Sequence, residues 1–320
     1  MSILLLGNGI NLQERLAPSW GELLQEIAKV YGCTSEDSLS NTLGYEMFEN
    51  RILKGNDGEK ELTIHRKIAN GVETEELKHK NDWSSTIHAK LLSLPVKTIL
   101  TTNYDYALER AAETGFKHKQ NTKETIYSLR RYQDAGGKRF FHIHGECGYP
   151  RSICLGFEQY AGTLQNIRQS IVQSTSSEGD GRTYLLADIM NGITEKPAES
   201  WVYDFFTENV YILGFGMDVS EMDLWWLLSY RSKQMTSNRL PITNRIVYLD
   251  TGFDDAEDKQ PDCDRTKCKY RIEANEQKKR ARGQRKKLLE TFDVEYRMCR
   301  GKTYDDQYAD ALRYLSKEMR

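Results

Sequence analysis

Short, mainly apolar runs that end at a glycine or a polar residue recur along this chain of 320 residues. The clearest of them cover residues 2–6, 96–101, 139–143, 210–213 and 245–249. Between them lie stretches with apolar residues at helical spacing, such as residues 20–31, where Ser19 is suited to cap the helix, and 220–229. Fully apolar strands that alternate with helices are typical of a parallel sheet covered on both faces. The sequence therefore predicts an α/β fold, a doubly wound, Rossmann-like parallel sheet.

Residues 33–93 depart from this pattern because they are rich in Glu, Lys and Asn and contain no strand-like run. We expect a helical insertion or small lobe beside the sheet, within one domain that covers residues 1–320. Further short strands are predicted at residues 126–131, 153–155 and 292–296. Further helices are predicted at residues 104–113, 157–190, 273–289 and 303–319, with a mobile loop at residues 174–181.

Composition excludes several classes of protein. A net charge of −2 gives no general attraction to nucleic acid or to an anionic membrane, and the apolar runs are too short to cross a bilayer. Gly7 interrupts the first apolar run, so no signal peptide is predicted and a cytoplasmic location is expected. The six cysteines include no C-x-x-C pair, and no second pair lies near Cys263 and Cys268. We expect free thiols and no metal.

The first apolar run ends in a tight turn formed by Gly7, Asn8 and Gly9. In a doubly wound sheet such a turn lies at the carboxyl edge, where nucleotide phosphates bind. Glycine tolerates unusual backbone angles there and lets phosphate oxygens approach the N–H groups. The full G-x-G-x-x-G pattern is absent because Leu12 occupies its third position. The turn alone leaves both a phosphate site and a simple structural turn open.

A second glycine turn, Gly214-Phe215-Gly216, follows an apolar run in the second half of the chain. Two such turns far apart in sequence suit the two halves of a dinucleotide site. Asp218 is suited to reach a ribose hydroxyl or to cap the next helix. For Ser220 and Asp223 the capping interpretation is stronger.

Polar residues close another apolar run in the order Thr101, Thr102, Asn103, Tyr104 and Asp105. Polar side chains at the end of a parallel strand face the cleft at the sheet edge. The Asn103 amide can hold a ribose hydroxyl or a water with both a donor and an acceptor. Asp105 can fix that geometry or cap the following helix, and the motif can also be read as a plain helix N-terminus.

Two histidines, His142 and His144, precede Gly145 at the end of a further apolar run. They point to one face of an extended segment, where two histidines can bind a metal. We favour a general base instead, because few other metal ligands lie nearby in the sequence. A hydrogen-bonded core histidine fits His142 better than His144.

Five motifs of this chain occur in the following order and span most of it: Leu6-Gly7-Asn8-Gly9-Ile10-Asn11, Thr101-Thr102-Asn103-Tyr104-Asp105, His144-Gly145, Leu155-Gly156-Phe157-Glu158-Gln159-Tyr160 and Leu213-Gly214-Phe215-Gly216-Met217-Asp218. Together they resemble the sirtuin-like NAD-binding superfamily, and most closely its bacterial branch of NAD hydrolases in anti-phage defence. The T-T-N-Y-D motif followed by H-G is fairly specific for this branch, whereas the glycine turns alone are not.

The resemblance implies an NAD hydrolase that cleaves NAD to ADP-ribose and nicotinamide, as a regulated effector of abortive infection. It implies that Asn103 binds the nicotinamide ribose and positions the attacking water, that Asp105 supports this loop, and that His144 is the general base. The residues implied for NAD binding are Gly7, Asn8, Gly9, Ile10, Asn11 and Thr102, with Gly214, Phe215, Gly216 and Asp218 at the adenosine half. Cleavage at the ribose needs an oriented nucleophile, a base and a dry pocket more than a metal.

Three departures from the protein-deacylating sirtuins bear on the activity. The zinc-binding C-x-x-C pairs are missing, Asn8 and Asn11 replace small residues of the glycine loop, and Ser19-Trp20-Gly21-Glu22 stands where Pro-Asp-Phe-Arg is usual. These departures favour hydrolysis over deacylation. An NAD-dependent deacylase, an ADP-ribosyltransferase and a non-catalytic NAD or ADP-ribose sensor remain as alternatives.

A basic run extends from Arg265 to Lys287 behind an acidic stretch at residues 254–264. The simpler interpretation is a solvent-exposed helix that pairs with this acidic stretch. The more specific interpretation is that the basic run contacts nucleic acid. Because uncontrolled NAD loss kills a cell, the resemblance also implies regulation, through a homo-oligomer or a separate regulatory or ATPase protein.

Overall fold

The computed structural model describes residues 2–31, 42–55, 61–119, 126–172, 185–196, 199–252 and 279–319. Among these residues, one sheet contains the strands β1 (Ser2–Leu6), β2 (Thr98–Thr101), β3 (Gln133–Ala135), β4 (Lys138–His142), β5 (Asn209–Leu213), β6 (Ile246–Asp250) and β7 (Val294–Met298). The helices before β2 are α1 (Gly9–Gln13), α2 (Trp20–Val30), α3 (Thr42–Gly55), α4 (Glu61–Val72), α5 (Glu75–His79) and α6 (Ile87–Leu92). The later ones are α7 (Ala107–Ala112), α8 (Phe157–Val172), α9 (Leu186–Met190), α10 (Trp201–Thr207), α11 (Met222–Thr236), α12 (279–291) and α13 (Tyr304–Glu318), and Pro150–Ser152 form a 3-10 turn.

The strands follow the order β3-β4-β2-β1-β5-β6-β7, and every neighbouring pair is parallel except the β3–β4 hairpin at one edge. If β3 is set aside and the other six strands are numbered afresh along the chain, their order is 3-2-1-4-5-6, which is that of a doubly wound sheet. The direction in which successive strands are added reverses between β1 and β5. Leu6 pairs with Leu213 in the register of these two strands. The two glycine turns that follow them therefore leave the sheet side by side.

Alternate residues of the central strands belong to two separate cores, which confirms that both faces of the sheet are covered. In β1, Ile3 and Leu5 pack into the core on one face, whereas Leu4 and Leu6 pack into the core on the other. Side chains of α8, α10 and α11 cover the first face, and those of α6, α7 and α13 cover the second. The α/β, doubly wound, Rossmann-like prediction is confirmed, because only a sheet buried on both sides needs fully apolar strands.

The stretch predicted to be helical carries α3 to α6, and no strand occurs in its described residues 42–55 and 61–93. The helix at residues 20–31 is capped as expected, since the Ser19 side chain accepts a hydrogen bond from the Glu22 N–H in a reciprocal capping box. The division into one domain of residues 1–320 with an insertion at residues 33–93 stays a prediction.

Two predicted strands are wrong. Residues 126–131 form a turn, because the N–H groups of Arg130 and Arg131 donate to the Ser128 hydroxyl instead of to a neighbouring strand. The edge strand is β3, a few residues later. Residues 153–155 form no strand either, and Cys154 N–H makes one isolated bond to the His144 carbonyl. The helix predicted at residues 104–113 begins only at Ala107, after an Asp105 turn.

Several expectations fall outside the described residues. They concern the loop at residues 174–181, the cysteines Cys33, Cys263 and Cys268, and most of the acidic and basic run, of which only residues 279–287 are described, as the first part of α12. In the described part of the chain, no helix is long and apolar enough to cross a membrane.

Candidate functional site

A cavity of about 450 Å³ opens at the carboxyl edge of β1, β2 and β5. One wall comes from the ends of these strands, and the other from the segment after α1 and the start of α2, including Pro18, Trp20 and Leu23. The thirteen residues implied by the resemblance are divided between this lining and the layer behind it. Those that line the first cavity are Asn8, Gly9, Thr102, Asn103, Asp105, His144, Gly214, Phe215, Gly216 and Asp218. Gly7, Ile10 and Asn11 lie behind it.

The two glycine turns are in direct backbone contact. Gly7 N–H donates to the Leu213 carbonyl (3.1 Å), and Gly9 N–H donates to the Gly214 carbonyl (2.7 Å). A Cβ atom on Gly7 or Gly9 would lie 2.6 Å or 2.7 Å from the Gly214 oxygen. Glycine is needed at both positions because the turns touch without side chains between them. Since these two N–H groups are engaged inside the protein, they are not free donors for a phosphate.

Asn103 presents its side-chain amide to the first cavity. Its backbone is fixed on both sides, since its N–H donates to the Thr101 hydroxyl (3.1 Å) and its carbonyl accepts from His142 Nδ1 (2.7 Å). The residue is 6% exposed, and neither Oδ1 nor Nδ2 of its side chain has a hydrogen-bond partner among the described residues. Buried amides are nearly always hydrogen-bonded, so this one is a candidate contact for a group that enters the cavity.

Asp105 and Asn11 form a buried hydrogen-bond network beneath the cavity. Asn11 Nδ2 donates to Asp105 Oδ2 (2.8 Å) and to Asn8 Oδ1 (3.1 Å), and Asn11 Oδ1 accepts from His88 Nε2 (2.8 Å). Burial lowers the pKa of His88 to about 3, so its ring is neutral. Burial also raises the pKa of Asp105 to about 6. The network joins the first glycine turn to the T-T-N-Y-D loop and fixes their relative position.

His144 lies between two carboxylates at the wall of the first cavity. Its Nε2 is 3.0 Å from Asp223 Oδ2, and its Nδ1 is 3.5 Å from Glu221 Oε2. Glu221 also accepts a hydrogen bond from the Tyr160 hydroxyl (2.9 Å). Glu221 and Tyr160 line the cavity, whereas Asp223 is fully buried and does not. Asp223 thus holds the imidazole from behind and leaves the Nδ1 edge toward Glu221 and the cavity.

The two carboxylates change the protonation state of His144. Burial by itself would lower the pKa of the ring, but the charges of Asp223 and Glu221 outweigh it and raise that pKa to about 9. At neutral pH the free protein therefore carries an imidazolium here. Burial raises the pKa of Glu221, and the charge of His144 opposes that rise. The general-base role of His144 was expected from the ordinary pKa of histidine. His144 can act as the base by itself only after its imidazolium has lost a proton.

His142 does not share the site of His144. Its Nε2 pairs with Glu109 Oε1 (2.8 Å), and its Nδ1 donates to the Asn103 carbonyl. Burial lowers the pKa of His142, but the Glu109 charge prevails and raises it to about 9. His142 is a hydrogen-bonded core residue, as the sequence favoured. The metal-ligand pair considered for two histidines does not form. A divalent cation would find another set of ligands in His144, Glu221 and Asp223, whose candidate atoms lie within 4.8 Å of one another.

A second cavity of about 650 Å³ adjoins the first across the glycine turns, since Gly9, Leu12 and residues 214–216 line both. The second cavity lies at the carboxyl end of β6, and its polar lining includes Asp250, Arg285 and Asp305. Arg285 Nη1 donates to the Gly216 carbonyl (2.7 Å). Asp218 lines only the first cavity, where its carboxylate accepts from the Ser220 N–H and hydroxyl.

Sequence reasoning missed the carboxylates that surround His144. Asp223 lies in the first turn of α11, as the cap-like interpretation expected, but its side chain is hydrogen-bonded to His144. Ser220 does not cap α11 either, because Glu221 stands at the N-cap position. The available signal was the pair of acids five and seven residues after Gly216, since the second glycine turn and the H-G segment end at the same sheet edge.

A comparison with protein families adds one match. Residues 97–238 match the family model of the SIR2-like domain. The match runs from just before β2 to just after α11, and it includes Asn103, His144 and Asp223 but not the first glycine turn. No curated protein matches the sequence.

Proposed function

We propose, from the premise that the chain belongs to the sirtuin-like superfamily, that it hydrolyses NAD to ADP-ribose and nicotinamide. A SIR2-like domain fits an NAD-utilising enzyme, and the arrangement around the first cavity supports this more specific reaction. The observation that carries the proposal is the buried Asn103 amide, which has no partner among the described residues and shares a cavity with His144. A donor and an acceptor in one rigid group suit a ribose hydroxyl and the attacking water.

The two adjoining cavities suit the two halves of a dinucleotide. In our proposal the nicotinamide ribose enters the first cavity beside Asn103, and the adenosine half enters the second. The pyrophosphate then crosses the paired glycine turns. Because the N–H groups of Gly7 and Gly9 are already bonded, we assign the phosphate contacts to other groups at the turns, including Asn8 and Arg285.

Charge in the first cavity favours the transition state of this cleavage. When both carboxylates are ionised, Asp223 and Glu221 leave one net negative charge beside the His144 imidazolium. Loss of nicotinamide develops positive charge on the ribose, and a preorganised negative group stabilises it. Water then attacks the ribose carbon that nicotinamide leaves, and its proton passes to the Glu221 carboxylate. His144 and Asp223 keep that carboxylate in position.

The test is release of nicotinamide from NAD by the purified chain, with ADP-ribose measured as the second product. Asn103→Ala and His144→Ala are each expected to lower the rate at least a hundredfold, as the loss of a positioning or acid–base group does. Asn50→Ala and His79→Ala are matched controls, because both side chains are exposed and lie outside the cavities. Circular dichroism checks the fold of each variant.

Three results would contradict the proposal. One is release of nicotinamide at the wild-type rate by both Asn103→Ala and His144→Ala. Another is NAD binding without turnover under any condition, which indicates a sensor. The third is cleavage that requires an acyl-lysine peptide or an acceptor protein, which indicates a deacylase or a transferase.

We further propose that this hydrolase is cytoplasmic and acts in anti-phage defence, as a homo-oligomer or with a separate regulatory or ATPase protein. The support is the toxicity of unregulated NAD loss. Size-exclusion chromatography with light scattering, followed by the nicotinamide assay on each fraction, tests the regulation. A monomer with full constitutive activity would contradict it. Contact with nucleic acid through Arg265 to Lys287 stays a prediction, because most of that run lies outside the described residues.

A further inference from the structure

A second cluster of acidic residues and a histidine lies away from both cavities, between α3 and α4. It consists of Glu49 on α3 with Glu61 and His65 on α4, and their nearest candidate ligand atoms lie within 4.8 Å of one another. Glu49 and His65 are buried, whereas Glu61 is half exposed. None of the three residues lines either cavity. The hydrolase reaction proposed above therefore does not use this cluster.

Of the two ring nitrogens of His65, one is hydrogen-bonded and the other is not. Its Nδ1 lies 3.0 Å from the Pro150 carbonyl, an acceptor, so Nδ1 carries a hydrogen and Nε2 carries a lone pair when the ring is neutral. The residue is 3% exposed, and Nε2 has no hydrogen-bond partner among the described residues. A histidine that binds a metal is held in this way, with its other nitrogen bonded to a backbone carbonyl.

The two carboxylates are held by hydrogen bonds of their own. Glu49 Oε1 accepts from the Tyr45 hydroxyl (2.9 Å), and Glu61 Oε1 accepts from Gln159 Nε2 (2.6 Å). Gln159 is itself fixed, because its Oε1 accepts from the Gly156 N–H (2.7 Å). Each of the three candidate ligands therefore has a supporting partner that orients it. This is the arrangement that metal sites use around their ligands.

The spacing within the cluster suits a small cation. His65 Nε2 lies 3.4 Å from Glu61 Oε1. Two ligands at about 2.1 Å from a tetrahedral ion are about 3.4 Å apart, so this pair needs little movement to share one. The charges of Glu46, Glu61 and Glu158 all act on the Glu49 carboxylate, and all are negative. A bound cation would relieve that repulsion.

We propose that Glu49, Glu61 and His65 form a binding site for a divalent transition-metal ion such as Zn²⁺. One imidazole nitrogen with two carboxylates suits Zn²⁺ or Mn²⁺, whereas Ca²⁺ and Mg²⁺ prefer oxygen ligands throughout. With three protein ligands, the remaining coordination position is open to water. The ion would join α3 to α4 and, through Gln159 and Pro150, brace both against α8 and the 3-10 turn. Tyr160, next to Gln159, lines the first cavity.

The experiment measures metal binding by the full-length protein after treatment with a chelator and dialysis. Isothermal titration with ZnCl₂, and with MnCl₂ in a parallel arm, gives affinity and stoichiometry, and mass spectrometry of retained metal checks the count. We expect one Zn²⁺ per chain and at least tenfold weaker binding in His65→Gln and in Glu49→Gln. Glu75→Gln and His79→Gln are matched controls, since these residues form an exposed histidine–glutamate pair with the same helical spacing. Their binding should stay at the wild-type level.

Cobalt substitution separates this site from the other sources of ligands in the chain. Co²⁺ held by nitrogen and oxygen gives no thiolate charge-transfer band in the near ultraviolet. A strong thiolate band would assign the metal to cysteines, and binding lost in Asp223→Asn but kept in His65→Gln would assign it to the cluster at His144. Either result would overturn the proposal, as would the absence of stoichiometric binding. If His65→Gln fails to fold, Glu61→Gln at the half-exposed carboxylate decides by the same criterion.

Discussion

Replacement of Asp223 by asparagine tests how the protein controls the proton on His144. Asparagine has nearly the same size as aspartate and keeps an acceptor beside His144 Nε2, but it removes the largest charge that raises the pKa of the ring. Burial, which lowers that pKa, remains. We therefore expect the pKa of His144 to fall well below the wild-type value of about 9.

The magnitude follows from linkage between proton binding and folding. The pKa of His144 is raised from an ordinary value of 6.5 to about 9 in the folded protein. Because each pKa unit corresponds to about 1.4 kcal/mol, protonation of His144 stabilises the folded state by about 3 kcal/mol. Because the folded pKa is raised, this stability is present in full below pH 6.5 and is lost as the pH rises toward 9. Asp223→Asn should remove most of that pH-dependent loss.

Two measurements check this expectation. Urea unfolding at several pH values between 6 and 9.5 gives the slope of the free energy of unfolding, which should be shallower in Asp223→Asn than in wild type. Histidine NMR titration gives the pKa of His144 itself. In the nicotinamide-release assay, the pH at which the rate changes should move to lower pH by at least one unit, because the same proton governs the charge of the site.

Glu109→Gln is the matched control. It removes the carboxylate from the buried pair with His142, whose pKa is raised to about 9 by the same cause. This variant should flatten the pH dependence of stability in a similar way. Since Glu109 does not line the cavities, it should leave the pH at which nicotinamide release changes where it is. An Asp223→Asn protein with the wild-type pH profile and stability slope would refute the reasoning.

Two further substitutions test the backbone contact and the polar network behind the first cavity. Gly9→Ala places a Cβ 2.7 Å from the Gly214 oxygen, so we expect about 1–3 kcal/mol of destabilisation. We also expect that NAD no longer raises the melting temperature of this variant. Gly21 in α2 has open space around it, so Gly21→Ala should be neutral or slightly stabilising. Equal melting temperatures for the two variants would contradict this. Asn11→Ala removes the buried donor to Asp105 Oδ2, while Asp105 Oδ1 keeps the Ala107 N–H, and it should cost about 1–3 kcal/mol in urea unfolding. A change below about 0.5 kcal/mol would show that the network adds little.

The sheet could be predicted because its signal is local. Each central strand is a short apolar run whose residues are buried on both faces, and β1, β2, β5 and β6 were found within about two residues of their ends. The edge strand β3 could not be found in this way. It has only three residues, of which Asp134 is exposed, and its place is set by the hairpin at Gly136 and Gly137.

The site was predicted less completely because its contacts are distant in sequence. The partnership of His144 with Asp223 joins residues 79 positions apart, and nothing local distinguishes Asp223 from a helix cap. The raised pKa of His144 follows from that contact and was equally hidden. In the same way, the bond from Asn11 to Asp105 spans 94 positions. Motif order brought these segments to one sheet edge, but only the folded chain gives their pairing.

The contact between the glycine turns determines which wall of the first cavity can move. The wall formed by β1 and β5 is one unit, because separating its turns would break main-chain hydrogen bonds at Gly7 and Gly9. The opposite wall, at Pro18, Trp20 and Leu23, meets that unit through side chains, such as the bond from Asn8 Nδ2 to the Pro18 carbonyl. We therefore expect the segment around the start of α2, and not the paired turns, to move when a substrate enters. The regulatory contact proposed above should therefore act by shifting that segment and leave the paired turns as they are.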